Sequence, residues 1–399
     1  MAITNKEQGV WETDEVYNKI MEGDIWSYDG AFDLYCVGVG NETKMGLNTP
    51  QEYYSSPIQL PGNWASYSAG YKNAAGVKSD GTLWTWGMNE YGFIGDNSSG
   101  DPDYSSPVQV PGTTWDRVCV HVVRGCFATK TDGTLWSWGK NEYGQLGHNN
   151  KTNYSSPKQV GSDTSWQGES GKLSTGQRSV AAIKTDGSLW RWGQNEQGQL
   201  GQNNKTDYSS PKQVPGTYVY CAAGWYNALQ VRAPGTVWFT GWGERYSNGI
   251  GSQQGYSSPR QVPGLAEDGN GDGPFGTAVK CKMMETGTGY VINEDGDLFS
   301  WGYNSNGQTG KKNPGSASIL YSPCQIPGTW EHIETARTAA YGQKTNGTLW
   351  AWGQNFQGYL GQNDRESRSS PIQIGSGTDW DLSRTNSYFA GAMGLIEKK

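Results

Sequence analysis

Apolar or small residues alternate with polar ones in short runs along most of this chain, and a glycine-bearing turn cuts each run. GCFATKTDGTLWSWG, Gly125 to Gly139, shows the form: an alternating segment, the dipeptide Asp132-Gly133, then a second alternating segment. A period of two marks a strand with one buried face and the dipeptide marks a tight reversal, so this stretch predicts a hairpin. The same turn is written Asp80-Gly81, Asp186-Gly187, Asp295-Gly296 and Asn346-Gly347. A two-residue hairpin turn needs positive φ, which each of these dipeptides takes at low cost. Residues two apart share a face, so Trp84 and Trp86 project together and every hairpin offers a broad aromatic surface. One sheet cannot bury that surface. Sheets stacked radially can, at roughly 1.5 to 3 kcal/mol for each aromatic side chain.

The hairpin belongs to a longer unit. LWTWGMNEYGFIG begins at Leu83, LWSWGKNEYGQLG at Leu135, LWRWGQNEQGQLG at Leu189 and LWAWGQNFQGYLG at Leu349. Alignment on the Trp-Gly pair gives Trp86-Gly87, Trp138-Gly139, Trp192-Gly193, Trp242-Gly243, Trp301-Gly302 and Trp352-Gly353, preceded by a degenerate Val37-Gly38. A second marker, running from YSSPIQLPG at Tyr54 to RSSPIQIG at Arg368, also occurs once per unit. Successive units lie roughly 50 to 60 residues apart, the period of propeller blades rather than of helical solenoids. Seven such units predict an all-β, seven-bladed β-propeller over residues 23–399, with residues 1–22 as a separate leader. In the loop after each Trp-Gly pair, Asn89, Asn141, Asn195, Asn304 and Asn355 read as turn staples and Gly198 as a left-handed position. GDIWSYDGAFDLYCVG, Gly23 to Gly38, lacks the first half of a unit, and the C-terminal DWDLSRTNSYFAGAMGLIEKK lacks the second. The two chain ends are therefore expected to pair in one shared blade and lock the ring. GTVWFTGWGERYSNGIG, from Gly235, departs from the pattern through a spacer, Arg245 in place of Asn and Asn248 in place of Gly. Asn248 is expected to take the positive φ, and Arg245 and Tyr246 become candidate exposed interaction residues.

Composition agrees with strands and turns: 13% aromatic residues, 58 glycines and 17% charged residues. A formal charge of -7 argues against a partner bound through its phosphates, so no nucleic acid is expected. No apolar run reaches the length of a membrane span, and the N-terminus lacks the basic and apolar regions of a cleaved signal. Six cysteines without CxxC spacing read as free buried thiols, and His121, His148 and His332 are scattered without a ligand pattern. No nucleophile stands beside a base and GNGDG lacks the Lys-Ser/Thr of a phosphate loop, so neither catalysis nor an organic cofactor is expected. LAEDGNGDGPFG, Leu265 to Gly276, has Asp268, Asn270, Asp272 and Gly273 spaced as in the first half of a calcium loop. Its twelfth position is Val279 and not a bidentate Glu. The segment therefore reads as a solvated loop, with calcium as the sharper alternative.

LWxWGxNxxGQLG followed by SSPxQVPG resembles the repeat of the regulator of chromosome condensation family, over about Gly30 to the C-terminus. The resemblance implies a seven-bladed propeller and a non-enzymatic interaction role, or, as in eukaryotic members, exchange or adaptor work with a small GTPase or chromatin. The leader NKEQGVWETDEVYNKIMEGDIW, Asn5 to Trp26, is similar to the openings of structural proteins of tailed bacteriophages. That likeness implies a virion component, assembled in the host cytoplasm, whose partners are other virion proteins or a host-surface glycan or protein. Trp11 and Tyr17 are its candidate attachment residues, and the polar loops GHNNKTNYSSP and GQNNKTDYSSP suit such contact.

Overall fold

The computed structural model describes residues 32–39, 46–47, 53–100, 103–121, 124–263, 276–311, 319–385 and 392–398. The leader, with Trp11 and Tyr17, and the loop holding Asp268, Asn270 and Asp272 lie outside the described residues. Regular structure is almost entirely strand, in six antiparallel sheets. Trp64–Ala69, Asn73–Lys78, Leu83–Gly87 and Tyr104–Val110 form one of four four-stranded sheets. The first strand of each is mainly buried and the fourth, which carries the Ser-Ser-Pro segment, is largely open to solvent. First strands of successive sheets cross-link through short hydroxyls. Val120 N–H donates to Ser68 Oγ at 2.8 Å, and Ala223 N–H to Ser174 Oγ at 3.0 Å. The sheets thus radiate from a common axis as an all-β propeller. A seven-stranded sheet arises because Tyr208–Ala223 serves two hairpins. It pairs with Ser188–Gly193 through Thr217 and with Asn227–Arg232 from Tyr218 onward.

The ring closes twice. Phe32–Val39 lies between Tyr53–Leu60 and Ala392–Lys398, with Phe32 opposite Lys398 and Gly38 opposite Ala392, so the chain ends share a sheet. At the rim, the loop of each repeat rests on the Ser-Ser-Pro strand of the next: Gly92 on Ser155, Gly144 on Ser209, Gly198 on Ser257, Gly307 on Ser369. Gly358 then returns to Ser55. A Cβ at these glycines would stand 2.4 to 2.9 Å from the serine Cα, and their φ lies between +75° and +80°. Only glycine meets both conditions.

The tryptophan pairs divide the labour. Trp86, Trp138, Trp192, Trp301 and Trp352 are wholly buried between sheets. The indole N–H of Trp138, Trp192 and Trp352 donates to the carbonyl of Phe93, Gln145 and Gln308 in the preceding repeat, at 2.7 to 2.8 Å. The outer member is half-buried: Trp136 donates to Thr134 Oγ1, Thr134 donates to Asp132 Oδ1, and Lys130 Nζ lies 4.3 Å from the Trp136 ring. Here the turn differs from expectation. Gly81, Gly133, Gly187, Gly296 and Gly347 have positive φ while the Asp or Asn before them does not. The carboxylate of Asp132 is instead an acceptor for both the N–H and the hydroxyl of Thr134, which holds the residue in an ordinary conformation. The loop asparagines are staples as read. Oδ1 of Asn89, Asn141, Asn195, Asn304 and Asn355 accepts the N–H of the residue five positions on, at 2.8 to 3.0 Å.

One repeat corrects the alignment. Gly241 pairs with Tyr256 as Gly193 pairs with Tyr208, and its φ of +95° matches the +99° of Gly193. The structural counterpart of Trp192-Gly193 is therefore Thr240-Gly241, two positions before Trp242-Gly243. Thr240 Oγ1 donates to Gln199 O at 3.1 Å, the carbonyl that an indole would have taken. The vacated volume holds the buried Arg191, whose guanidinium donates to Gln199 O, Thr240 Oγ1 and Gln230 Oε1. The expectation for Asn248 also fails. It stays outside the positive-φ set because its amide staples the loop, accepting Ile250 N–H at 3.0 Å and donating to Gln254 O.

Near the axis lies a polar cluster that the sequence did not reveal. Trp330 and Ile333 oppose Lys344 and Gly342, whereas the equivalent Trp166 and Leu173 oppose Lys184 and Ala182. Two residues separate the first pair and six the second, so the extra residues bulge from the strand. The bulge carries Ser170 to Glu334, 164 positions away, with Oγ donating to Oε1 at 3.1 Å. The same carboxylate oxygen takes Lys282 Nζ at 2.8 Å and lies 3.7 Å from His332 Nε2. Burial alone would depress the Lys282 ammonium, but the Glu334 charge and hydrogen bond hold it above the ordinary lysine value. Burial and the charges of Lys280 and Lys282 push His332 below the usual histidine range despite Glu334.

Candidate functional site

Strands in each sheet run antiparallel, so the turn joining the first to the second strand and the loop following the third emerge at the same end. The turn tips are Tyr71-Lys72, Arg124, Gln177-Arg178, Trp225-Tyr226, Glu285-Thr286 and Arg337. Here the repeat breaks. Flanking strands keep their small and apolar residues while the tips differ from one repeat to the next. Several tips grip the preceding repeat's loop through an aromatic ring. Arg124 lies 5.3 Å over Tyr91 and pairs with Glu90, Lys140 lies 4.6 Å from the same ring, and Arg178 lies 4.4 Å over Tyr143. Each exposed contact of this kind contributes about 0.5 to 1 kcal/mol, enough to preset a side chain without holding the fold.

Beside this ladder is a cavity of about 340 Å³, lined by Trp225, Tyr226, Trp242, Arg245, Glu285 and Thr286 among others. Trp225 stacks on Tyr226 with centroids 5.8 Å apart, and Trp242 meets Tyr226 edge-on at 5.8 Å. Trp242 is available because the two-residue step at Gly241 moves it from the core position to the rim. Trp225 Nε1, Thr286 Oγ1 and Glu285 Oε2 are buried and have no hydrogen-bond partner among the described residues. Burial pushes the Glu285 carboxyl up to about 8, against the pull of Arg337, whose Nε is 3.9 Å away.

Comparison with known proteins accords with this geometry. The profile of the "Regulator of chromosome condensation (RCC1) repeat" matches residues 132–183, 186–229 and 346–380, and a second profile of that description matches 65–92. The chain carries RCC1 repeats. It is similar to the Ultraviolet-B receptor UVR8 of Arabidopsis thaliana, with 29% identity over 219 residues, 53% of this chain and 47% of that protein. It is also similar to the human E3 ubiquitin-protein ligase HERC2, with 28% identity over 196 residues, 46% of this chain and 4% of that protein. The chain thus spans less than half the length of these curated relatives. Among solved structures, human WBSCR16 superposes with a TM-score of 0.77 at 19% identity, covering 92% of this chain and all of that one. Prp20p from Saccharomyces cerevisiae superposes with 0.75 at 16% identity, covering 93% of this chain and 92% of that one. At such identities the likeness establishes the propeller fold.

Within the RCC1 repeats, the structure places Arg245 and Tyr246 side by side at φ of +58° and +57°. Arg245 is exposed, lines the cavity and lies 4.3 Å over the Tyr303 ring. Tyr246 packs edge-on against the exposed Tyr321 at 4.5 Å instead. Sequence reasoning missed Trp225, Tyr226, Glu285 and Arg337, although a usable signal existed: these are the positions where one RCC1 repeat ceases to predict the next. Glu285 also gives a pH test. Above about pH 4.3 the unfolded chain has released this proton, whereas the folded chain keeps it until about pH 8. Rising pH therefore favours the unfolded state across that window. Stability is expected to drop by about 1 kcal/mol between pH 7 and pH 8 in urea titrations, and Glu285→Gln to flatten that slope.

Proposed function

We propose that this chain is a non-enzymatic interaction propeller that docks a protein partner on the turn-tip face around Tyr91, Arg124, Tyr143 and Arg178. The observation that carries the reading is the break in the repeat. Positions that build blades are copied, while the tips concentrate arginines already ordered on tyrosine rings, and Arg and Tyr are the residue types that dominate binding hot spots. Dividing the seven-stranded sheet at Thr217 and Tyr218 gives seven blades, which supports a broad circular face shared by consecutive repeats. Arg124→Glu with Arg178→Glu is expected to weaken partner binding at least tenfold in surface plasmon resonance while leaving the urea midpoint within error. Unchanged binding would remove the assignment of this face.

A second reading, exchange or adaptor work with a small GTPase or chromatin, draws support from the likeness to Prp20p, whose structure is described together with its binding to Gsp1p and histones. Mant-nucleotide release from a panel of small GTPases tests it, and absence of acceleration would sink it. A place in a virus particle is the finer form of the first reading and rests on the leader. Mass spectrometry of purified particles tests it directly.

A further inference from the structure

We propose that the cavity between Trp225, Tyr226, Trp242, Glu285 and Thr286 binds an uncharged sugar residue of a glycan. The inference is independent of the protein-docking face, because the residues it uses lie on different turns from Arg124 and Arg178. Its size, about 340 Å³, falls at the small end of the ~300 to 1,000 Å³ range of small-molecule sites. Its walls are Trp225 stacked on Tyr226 with Trp242 perpendicular to Tyr226, which offers a flat apolar platform closed on one side. A pyranose ring has an apolar C–H face that suits such a platform and a hydroxyl rim that both donates and accepts.

The polar groups in the cavity match that rim. Trp225 Nε1–H is a donor, Thr286 Oγ1 donates and accepts, and the Glu285 carboxyl, kept protonated near neutral pH by burial, does the same; all three lack partners within the protein. Leaving such groups unsatisfied costs about 1 to 3 kcal/mol each, which a hydroxylated ligand would recover. Charge excludes the obvious competitors. An ammonium ligand would meet Arg245 and Arg337, which line the same cavity, and an anion would meet Glu244 and Glu285. The two-residue register step in this repeat is what delivers Trp242 to the wall, so the cavity is a departure from the repeat and not a by-product of it.

Quenching of tryptophan fluorescence by oligosaccharides tests the proposal on the full chain. The probes are the neutral hexamers of glucose, mannose and N-acetylglucosamine, with polygalacturonate and a trimethyl-lysine peptide as the charged alternatives. At least one neutral hexamer is expected to bind, with affinity reduced at least tenfold by Trp225→Ala and at least threefold by Thr286→Val. Glu285→Gln, which keeps a donor and an acceptor, is expected to retain binding within threefold, and the Arg124→Glu, Arg178→Glu protein to bind as the parent does. Binding of the charged probes alone, binding of no probe, or binding unchanged in Trp225→Ala would each overturn the assignment. Circular dichroism of each variant confirms the fold, so that loss of binding is not loss of structure.

Discussion

Glu334→Ala is expected to lower the stability of the propeller by about 3 to 5 kcal/mol, the range observed when one member of a buried ion pair is removed. Glu334 is wholly buried and Lys282 nearly so, with 2.8 Å between Nζ and Oε1. Removing the carboxylate strands an ammonium that has no route to water and also deprives Ser170 of its acceptor on the far blade. The comparison that isolates the pair is the double variant Lys282→Met, Glu334→Leu. Apolar residues of similar volume avoid the desolvation of both charges, so the double variant is expected to be close to the parent in stability, or above it. Urea unfolding followed by tryptophan fluorescence reads both. A double variant as unstable as Glu334→Ala would show that the cluster acts through the Ser170 contact and not through charge pairing.

Trp192→Ala is expected to cost about 3 to 5 kcal/mol, whereas Trp190→Ala, two residues earlier in the same strand, costs about 1 to 2 kcal/mol. Trp192 is wholly buried, packs edge-on against Trp166 at 6.2 Å and donates to Gln145 O at 2.7 Å. Its removal opens a cavity between sheets and leaves a buried carbonyl without its donor. Trp190 is half-buried, donates to Ser188 Oγ and carries Lys184 Nζ 4.1 Å over its ring, so water can replace much of what is lost. Thermal unfolding of the two variants decides the matter. Equal losses would contradict the division of labour between the two indoles.

Most of the scaffold was legible because its determinants act over a few residues. Asp132-Gly133-Thr134 closes a turn through its own side chains, and Asn195 fixes its loop by accepting the N–H of Leu200. Alternation placed Trp190 and Trp192 on one face without revealing which would be enclosed, since enclosure depends on the neighbouring sheet. Alignment on Trp-Gly failed at Trp242-Gly243 because Trp238 and Trp242 both lie in locally acceptable strings. Pairing of Gly241 with Tyr256, and the room taken by Arg191 from the adjacent sheet, chose between them.

By itself, then, the sequence determined the strands, the turns, the repeat and the meeting of the chain ends, since periodicity and turn chemistry are properties of neighbouring residues. Only the tertiary structure decided that Ser170, Lys282 and Glu334 would share one buried site, and that Trp225, Trp242 and Glu285 would enclose a cavity. These residues lie far apart in the chain, and their distances exist only once the sheets have packed in a ring. Contact between sheets responds to the whole closed circle, which no local window of sequence contains.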